Sequence, residues 1–158
     1  MIYYVKCQSI FNDSEAHFKD EAGLIYYTFK RTKKSNFNGI KIYDETKHLR
    51  FQVKFNKLKF KRRYQILDKS KQSVLDINTG LKLLHNFDFH DKHFFVKGSF
   101  ARIGYQVYDD RHVVAWLKVV KVGKERMFQI EVLKGYDIKL ALGLYVIAQA
   151  VREWYWFS

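Results

Sequence analysis

Between Glu45 and Asp68 the chain carries no acidic residue, while Lys47, Arg50, Lys54, Lys57, Lys59, Lys61, Arg62 and Arg63 all fall in that interval. A second acid-free interval, from Glu21 to Asp44, holds Lys30, Arg31, Lys33, Lys34 and Lys41. Ammonium and guanidinium groups at this density suit phosphate, on anionic lipid or on nucleic acid. Strand alternation places Arg50, Lys54, Lys57, Lys59 and Lys61 on the polar face of one hairpin. Like charges opposite one another there are costly, and a bound anion relieves the cost. The expected anion-binding set is Arg50, Lys54, Lys57, Lys59, Lys61, Arg62 and Arg63. The competing reading is a solvated strand face whose lysines deter edge pairing.

A second cluster, "HNFDFHDKH", holds His85, Asp88, His90, Asp91 and His93. Imidazole and carboxylate are ligands for zinc or iron. On a strand, however, His85 and His90 are five positions apart and face opposite sides. A turn near Asp91 brings His90 and His93 together by turn chemistry alone, so no metal site is expected. Cys7, in the alternating "YYVKC", reads as a small packed side chain rather than a nucleophile. The chain has no G-x-S-x-G, no P-loop and no G-x-G-x-x-G. No catalytic residue and no cofactor is expected.

Composition narrows the setting. Twenty-nine Lys and Arg against 16 Asp and Glu give a net charge of +13, which points to polyanionic partners. A lone cysteine excludes an intramolecular disulfide and a thiolate zinc site, and fits a reducing compartment. The first residues lack the basic head and apolar run of a signal peptide, so a cytoplasmic protein is expected. At 158 residues, with 8 Gly and no Pro, the whole length 1–158 reads as one folded domain.

Four stretches share one pattern: "AHFKDEAGLIYYTF", "IKIYDETKHLRFQV", "YQILDKSKQSVLDI" and "YQVYDDRHVVAWLK". Each sets an apolar run before an Asp, then polar residues, then a second alternating run. Asp favours turns because its carboxylate bonds the backbone two residues on, so each unit reads strand, turn, strand. The turn residues are Asp20, Asp44, Asp68 and Asp109, and "LKLLHNFDF" with "KHFFVKGSF" fills the longer last interval. Alternation is clearest at Leu49, Phe51, Val53 and Phe55, which share one face. A turn at Asn56–Lys57 then leads to Leu58 and Phe60 against Lys57, Lys59 and Lys61. The count approaches a dozen strands, with no helix before residue 136.

Leu140 to Val151 reads "LALGLYVIAQAV", apolar on every side except Gln149. Twelve residues span about 18 Å, short of the roughly 30 Å needed to cross a bilayer, so no transmembrane segment is expected. Such a helix needs a wall around it. The strands need their edges hidden, and closure hides them. The expected fold is mainly β, a closed antiparallel barrel of about 12 strands around a buried apolar C-terminal helix. Trp154, Tyr155, Trp156 and Phe157 either close the barrel end or sit at a membrane interface.

The ordered stretches "YYVKCQSIF", "IKIYDETKHLRFQVKF", "KRRYQILDKSKQSVLDI", "FFVKGSFARIGYQVYDDRHVVAWLKVVKV" and "MFQIEVLKGYDIKLALGLYVIAQAV" together resemble the small bacterial LURP-one-related branch of the tubby C-terminal-like proteins. The resemblance implies the same filled barrel. It also implies kinship with tubby domains, which bind phosphoinositides through basic residues, and with phospholipid scramblases. Neither the cysteine-rich lipidation segment nor the acidic calcium loop of scramblases is present, and Gln149 stands where relatives often carry an acid. The expected function is a non-catalytic module that binds anionic phospholipid or phosphoinositide headgroups, peripheral to a membrane. Nucleic-acid binding is the alternative, and a protein-interaction scaffold the next.

Overall fold

The computed structural model describes residues 1–7, 15–31, 40–57, 62–79, 84–89, 92–99 and 104–157, with the side chains at 57, 84, 99 and 150–157 outside that description. Twelve strands precede one helix. They are β1 (Ile2–Lys6), β2 (Glu15–Lys19), β3 (Ile25–Arg31), β4 (Ile40–Asp44), β5 (Leu49–Lys57) and β6 (Arg62–Leu67), then β7 (Ser73–Thr79), β8 (Leu84–Phe89), β9 (Lys92–Ser99), β10 (Gly104–Asp109), β11 (His112–Val122) and β12 (Glu125–Val132). The helix α1 runs Lys139–Phe157. Each strand pairs antiparallel with its sequence neighbours, and β1 pairs with β12 to close the barrel. Among the described residues no strand edge is left to recruit another chain.

Because consecutive strands alternate direction, their ends gather into two rims. One, the turn rim, carries the β2–β3, β4–β5, β6–β7 and β10–β11 turns and the start of α1. The other, the basic rim, is where β5, β11 and α1 end and where β6 and β12 begin.

Three turns on the first rim are the same structure. Asp20, Asp44 and Asp68 each donate their N–H to the carbonyl four residues on, and each carbonyl accepts the N–H three residues on. Each Oδ1 also accepts two backbone N–H groups: Ala22 and Leu24, Thr46 and His48, Ser70 and Gln72. The third residue after each Asp is left-handed: Gly23 (φ 85°), Lys47 (φ 65°) and Lys71 (φ 61°). A bulge follows each one on the second strand, at Tyr26, Arg50 and Val74, leaving Lys19↔Ile25, Tyr43↔Leu49 and Leu67↔Ser73 as corresponding pairs. The 24-residue spacing of the three Asp residues is therefore a repeated hairpin. Asp109 departs from it. Asp109 pairs directly with His112 across the two-residue turn Asp110–Arg111, with Asp110 at φ 57°. Its carboxylate bonds none of the turn N–H groups and instead accepts the Tyr136 hydroxyl at 2.9 Å.

Alternation fills the interior. Phe18, Phe29, Val53, Tyr64, Ile66, Leu75, Ile77, Phe87, Phe128 and Ile130 are all buried and face α1. The helix is buried continuously from Leu140 to Gln149. Tyr145 is its aromatic centre, with ring centroids 4.9 Å from Phe29, 5.3 Å from Phe18 and 6.1 Å from Phe128. Each large helix side chain sealed this way contributes about 1.5–3 kcal/mol. Gly143 lets the helix lie close to the wall, since a Cβ there would come within 2.7 Å of Leu75 and 2.9 Å of Phe87. Asp137 caps the helix, its Oδ1 accepting the Lys139 N–H at 2.8 Å. The filled barrel matches the sequence reading, with a helix longer than the expected 140–151 span.

Candidate functional site

Of the seven expected anion-binding residues, Arg50, Lys54, Arg62 and Arg63 are described with their side chains. β5 stays regular through Lys57, which is paired with Arg62, so the turn expected at Asn56–Lys57 is strand. Lys57 thus shares the register of Val53 and Phe55 and not that of Lys54. The reason is the loop position: the connection begins after Lys57. Lys59 and Lys61, with Leu58 and Phe60, lie outside the described residues.

Two of the other four are held by carboxylates. The Arg50 Nε donates to Asp44 Oδ2 at 2.6 Å. Asp44 also accepts the Thr46 hydroxyl at 2.7 Å. That hydroxyl, then the Arg50 guanidinium and the turn N–H groups, hold the Asp44 carboxyl well below the usual carboxylate range despite its burial. Arg50 therefore locks a turn. Arg63 forks onto Asp76 at 2.8 and 3.2 Å, and Gln65 donates to the same oxygen at 2.8 Å. Arg62 is half-buried, its guanidinium carbon 5.9 Å from the Phe55 ring centroid. Lys54 is exposed on the outer wall opposite Gln65.

The His-rich stretch separates as strand parity requires. His85 points inward, 4% exposed, against Tyr105, and neither ring nitrogen has a hydrogen-bond partner among the described residues. Burial holds its pKa down at about 4. Asp88 and His93 are cross-strand partners on the outside, at 2.5 Å. His90 and Asp91 lie outside the described residues. Among the described residues no three His, Cys, Asp or Glu side chains are grouped to hold a metal ion. Cys7 packs half-buried against the core.

Sequence reading missed a cavity of about 680 Å³ on the turn rim, lined by Phe89, Lys92, Phe94, Tyr136, Asp137 and Leu140. Its cations are matched. The Lys92 ammonium is 3.6 Å from Asp109, and that of Lys139, which lies over the Phe89 ring, is 3.3 Å from Asp137. The Asp109 bond, followed by burial, raises the Tyr136 phenol above its ordinary value. Only the 24-residue repetition hinted at this, through the one interval that broke it.

The basic rim has the opposite balance. Lys6, Lys30, Arg31, Lys121, Lys124 and Arg126 stand at its strand ends, with Glu15 and Glu125 the carboxylates among the described residues there. Glu15 lies 3.6 Å from Lys30 and Glu125 lies 3.8 Å from Lys6, both as exposed pairs of small energetic weight. Phosphate-bearing anions are the chemistry that this rim can meet.

The class of protein is set by the fold: a closed twelve-strand barrel filled by its own C-terminal helix. The LURP-one-related family model matches residues 1–149, and the chain belongs to that family. No curated protein matches the chain. No solved structure matches it either. Among the described residues no helix is long and apolar enough to cross a membrane.

Proposed function

We propose that this protein is a non-catalytic module that binds anionic phospholipid or phosphoinositide headgroups at a cytoplasmic membrane surface. The observation that carries this reading is the unequal charge of the two rims. On the turn rim, Asp20, Asp44, Asp68, Asp109 and Asp137 accompany the cations. On the basic rim, cations from β1, β3, β11 and β12 stand with Glu15 and Glu125. The β5–β6 hairpin, with Lys57 and Arg62 at its rim end, Lys54 on its wall and Lys59 and Lys61 between its strands in sequence, belongs to the same end. A basic side chain near an anionic bilayer contributes about 1 kcal/mol, so several acting together suffice for reversible, salt-sensitive attachment.

Nucleic acid is a second reading with one observation in its favour. Phe95 is 51% exposed on the outer wall, opposite Tyr108, whose ring lies 5.1 Å from the Lys97 ammonium. An exposed ring beside a cation is a stacking platform for a base. Flotation with phosphatidylcholine vesicles, with and without phosphatidylserine, separates the readings when run beside an oligonucleotide mobility shift at several salt concentrations. Flotation with the anionic vesicles alone is the expected result. A mobility shift without flotation replaces lipid by nucleic acid, and neither response leaves the rim a solvated surface.

A further inference from the structure

The β11–β12 hairpin sits across the barrel from β5–β6. In the closed strand order, four strands, β7 to β10, separate the two hairpins on one side, and four, β1 to β4, separate them on the other. Both hairpins meet the basic rim. A flat anionic surface lying against the β5–β6 outer wall leaves β11–β12 on the far side of the molecule. A surface lying across the rim touches both.

The composition of the β11–β12 tip favours the second arrangement. Residues 121–126 read "KVGKER", and every one is exposed. Lys121 is directly opposite Arg126 and Val122 opposite Glu125, with Gly123 left-handed at φ 64° to close the two-residue turn. Two cations facing each other across a ladder destabilise an isolated hairpin. Among the described residues, Glu125 pairs with Lys6 at 3.8 Å, and no acidic side chain pairs with Lys121, Lys124 or Arg126. Between these cations Val122 is 55% exposed. A β-branched apolar side chain in water amid cations gains nothing from solvent, but at a headgroup boundary it is buried while its neighbours meet phosphate. Residues 119–127 include no aromatic ring, so this tip offers no platform for a base.

We infer that the barrel docks end-on, with its basic rim against an anionic phospholipid bilayer and the β11–β12 hairpin as a contact point across from β5–β6. This rests on the anionic-lipid reading above and adds the orientation. The helix then points its C-terminal end, with Trp154 to Phe157, toward the bilayer.

The test is flotation with phosphatidylcholine vesicles containing phosphatidylserine, comparing three proteins whose folding is checked by circular dichroism and thermal melting. They are the unaltered chain, the K121E/K124E/R126E variant and the K54E/K57E/K59E/K61E variant. At about 1 kcal/mol, or about fivefold, per charge, the hairpin variant loses on the order of a hundredfold in partition or more. The β5–β6 variant also weakens. If the hairpin variant binds as the unaltered chain does while the β5–β6 variant fails, docking is side-on and the inference is overturned with the lipid reading intact. If the unaltered chain does not float at all, the lipid reading itself fails. Should the triple variant not fold, Lys124→Glu alone, on the exposed turn, is expected to weaken partition about fivefold, and an unchanged partition overturns the inference.

Discussion

The two rims of this barrel use charge differently. On the turn rim, carboxylates build the backbone: Asp20, Asp44 and Asp68 each hold two turn N–H groups, and Asp137 caps the helix. Carboxylates of this rim also neutralise nearby cations, as Asp44 does Arg50 and Asp109 does Lys92. On the basic rim the turn at Gly123–Lys124 is made by a glycine and needs no carboxylate. The positive surplus at the β11–β12 tip is thus partly a consequence of the turn type that closes that hairpin.

The helix joins the rims, so the largest effect comes from removing it. Truncation before Asp137 takes away the interior surface against which β2, β3, β7, β8, β11 and β12 pack, and is expected to give aggregated protein. A soluble truncated chain with a cooperative melt would contradict the filled barrel.

His85 lies inside the barrel at the second residue of β8, near the basic rim. Its folded-state pKa of about 4 is below the ordinary value of 6.5, so the unfolded chain takes up the proton first. Stability is complete above pH 6.5 and falls as pH drops from there toward 4, by about 3 kcal/mol in all. Denaturant titrations at neutral pH and near pH 4.5 should show this decline, and His85→Leu should flatten it. Gly143→Val tests the contact with β7 and β8, and is expected to cost about 1–3 kcal/mol, read as a lower denaturation midpoint with an unchanged slope.

The turn-rim carboxylates can be ranked. Asp44→Ala removes the turn bonds and the Arg50 partner together, whereas Asp20→Ala and Asp68→Ala remove turn bonds. Thermal melts should place Asp44→Ala lowest of the three. Because its carboxyl is held so low, the Asp44 contribution is present above the ordinary carboxylate range and is lost only in stronger acid than the His85 decline. Equal melting temperatures for the three would show that the Arg50 pairing adds nothing.

The Asp turns, the strand alternation and the apolar helix were legible in the sequence because each rests on local chemistry at fixed spacing. The exception shows the limit. Asp109 continues the pattern in sequence, yet a two-residue turn frees its carboxylate for Tyr136, and turn length is set by the register of β10 against β11. The surroundings of the expected anion-binding residues depend on register in the same way. β5 runs on past Asn56 to pair Lys57 with Arg62, and Arg63 meets Asp76 through the β6–β7 register. That β11–β12 faces β5–β6 across a shared rim follows only from closure of the barrel, which no local pattern encodes.

The most direct measurement sets equal charge changes on the two rims against each other in anionic vesicle binding. K19E/K69E/K134E alters three exposed lysines on the turn rim, and K121E/K124E/R126E alters three exposed cations on the basic rim. Both variants carry the same net charge. The turn-rim variant is expected to retain most of its partition into phosphatidylserine-containing vesicles, and the basic-rim variant to lose on the order of a hundredfold. Equal losses would mean that net charge alone governs binding, and would contradict a difference between the rims.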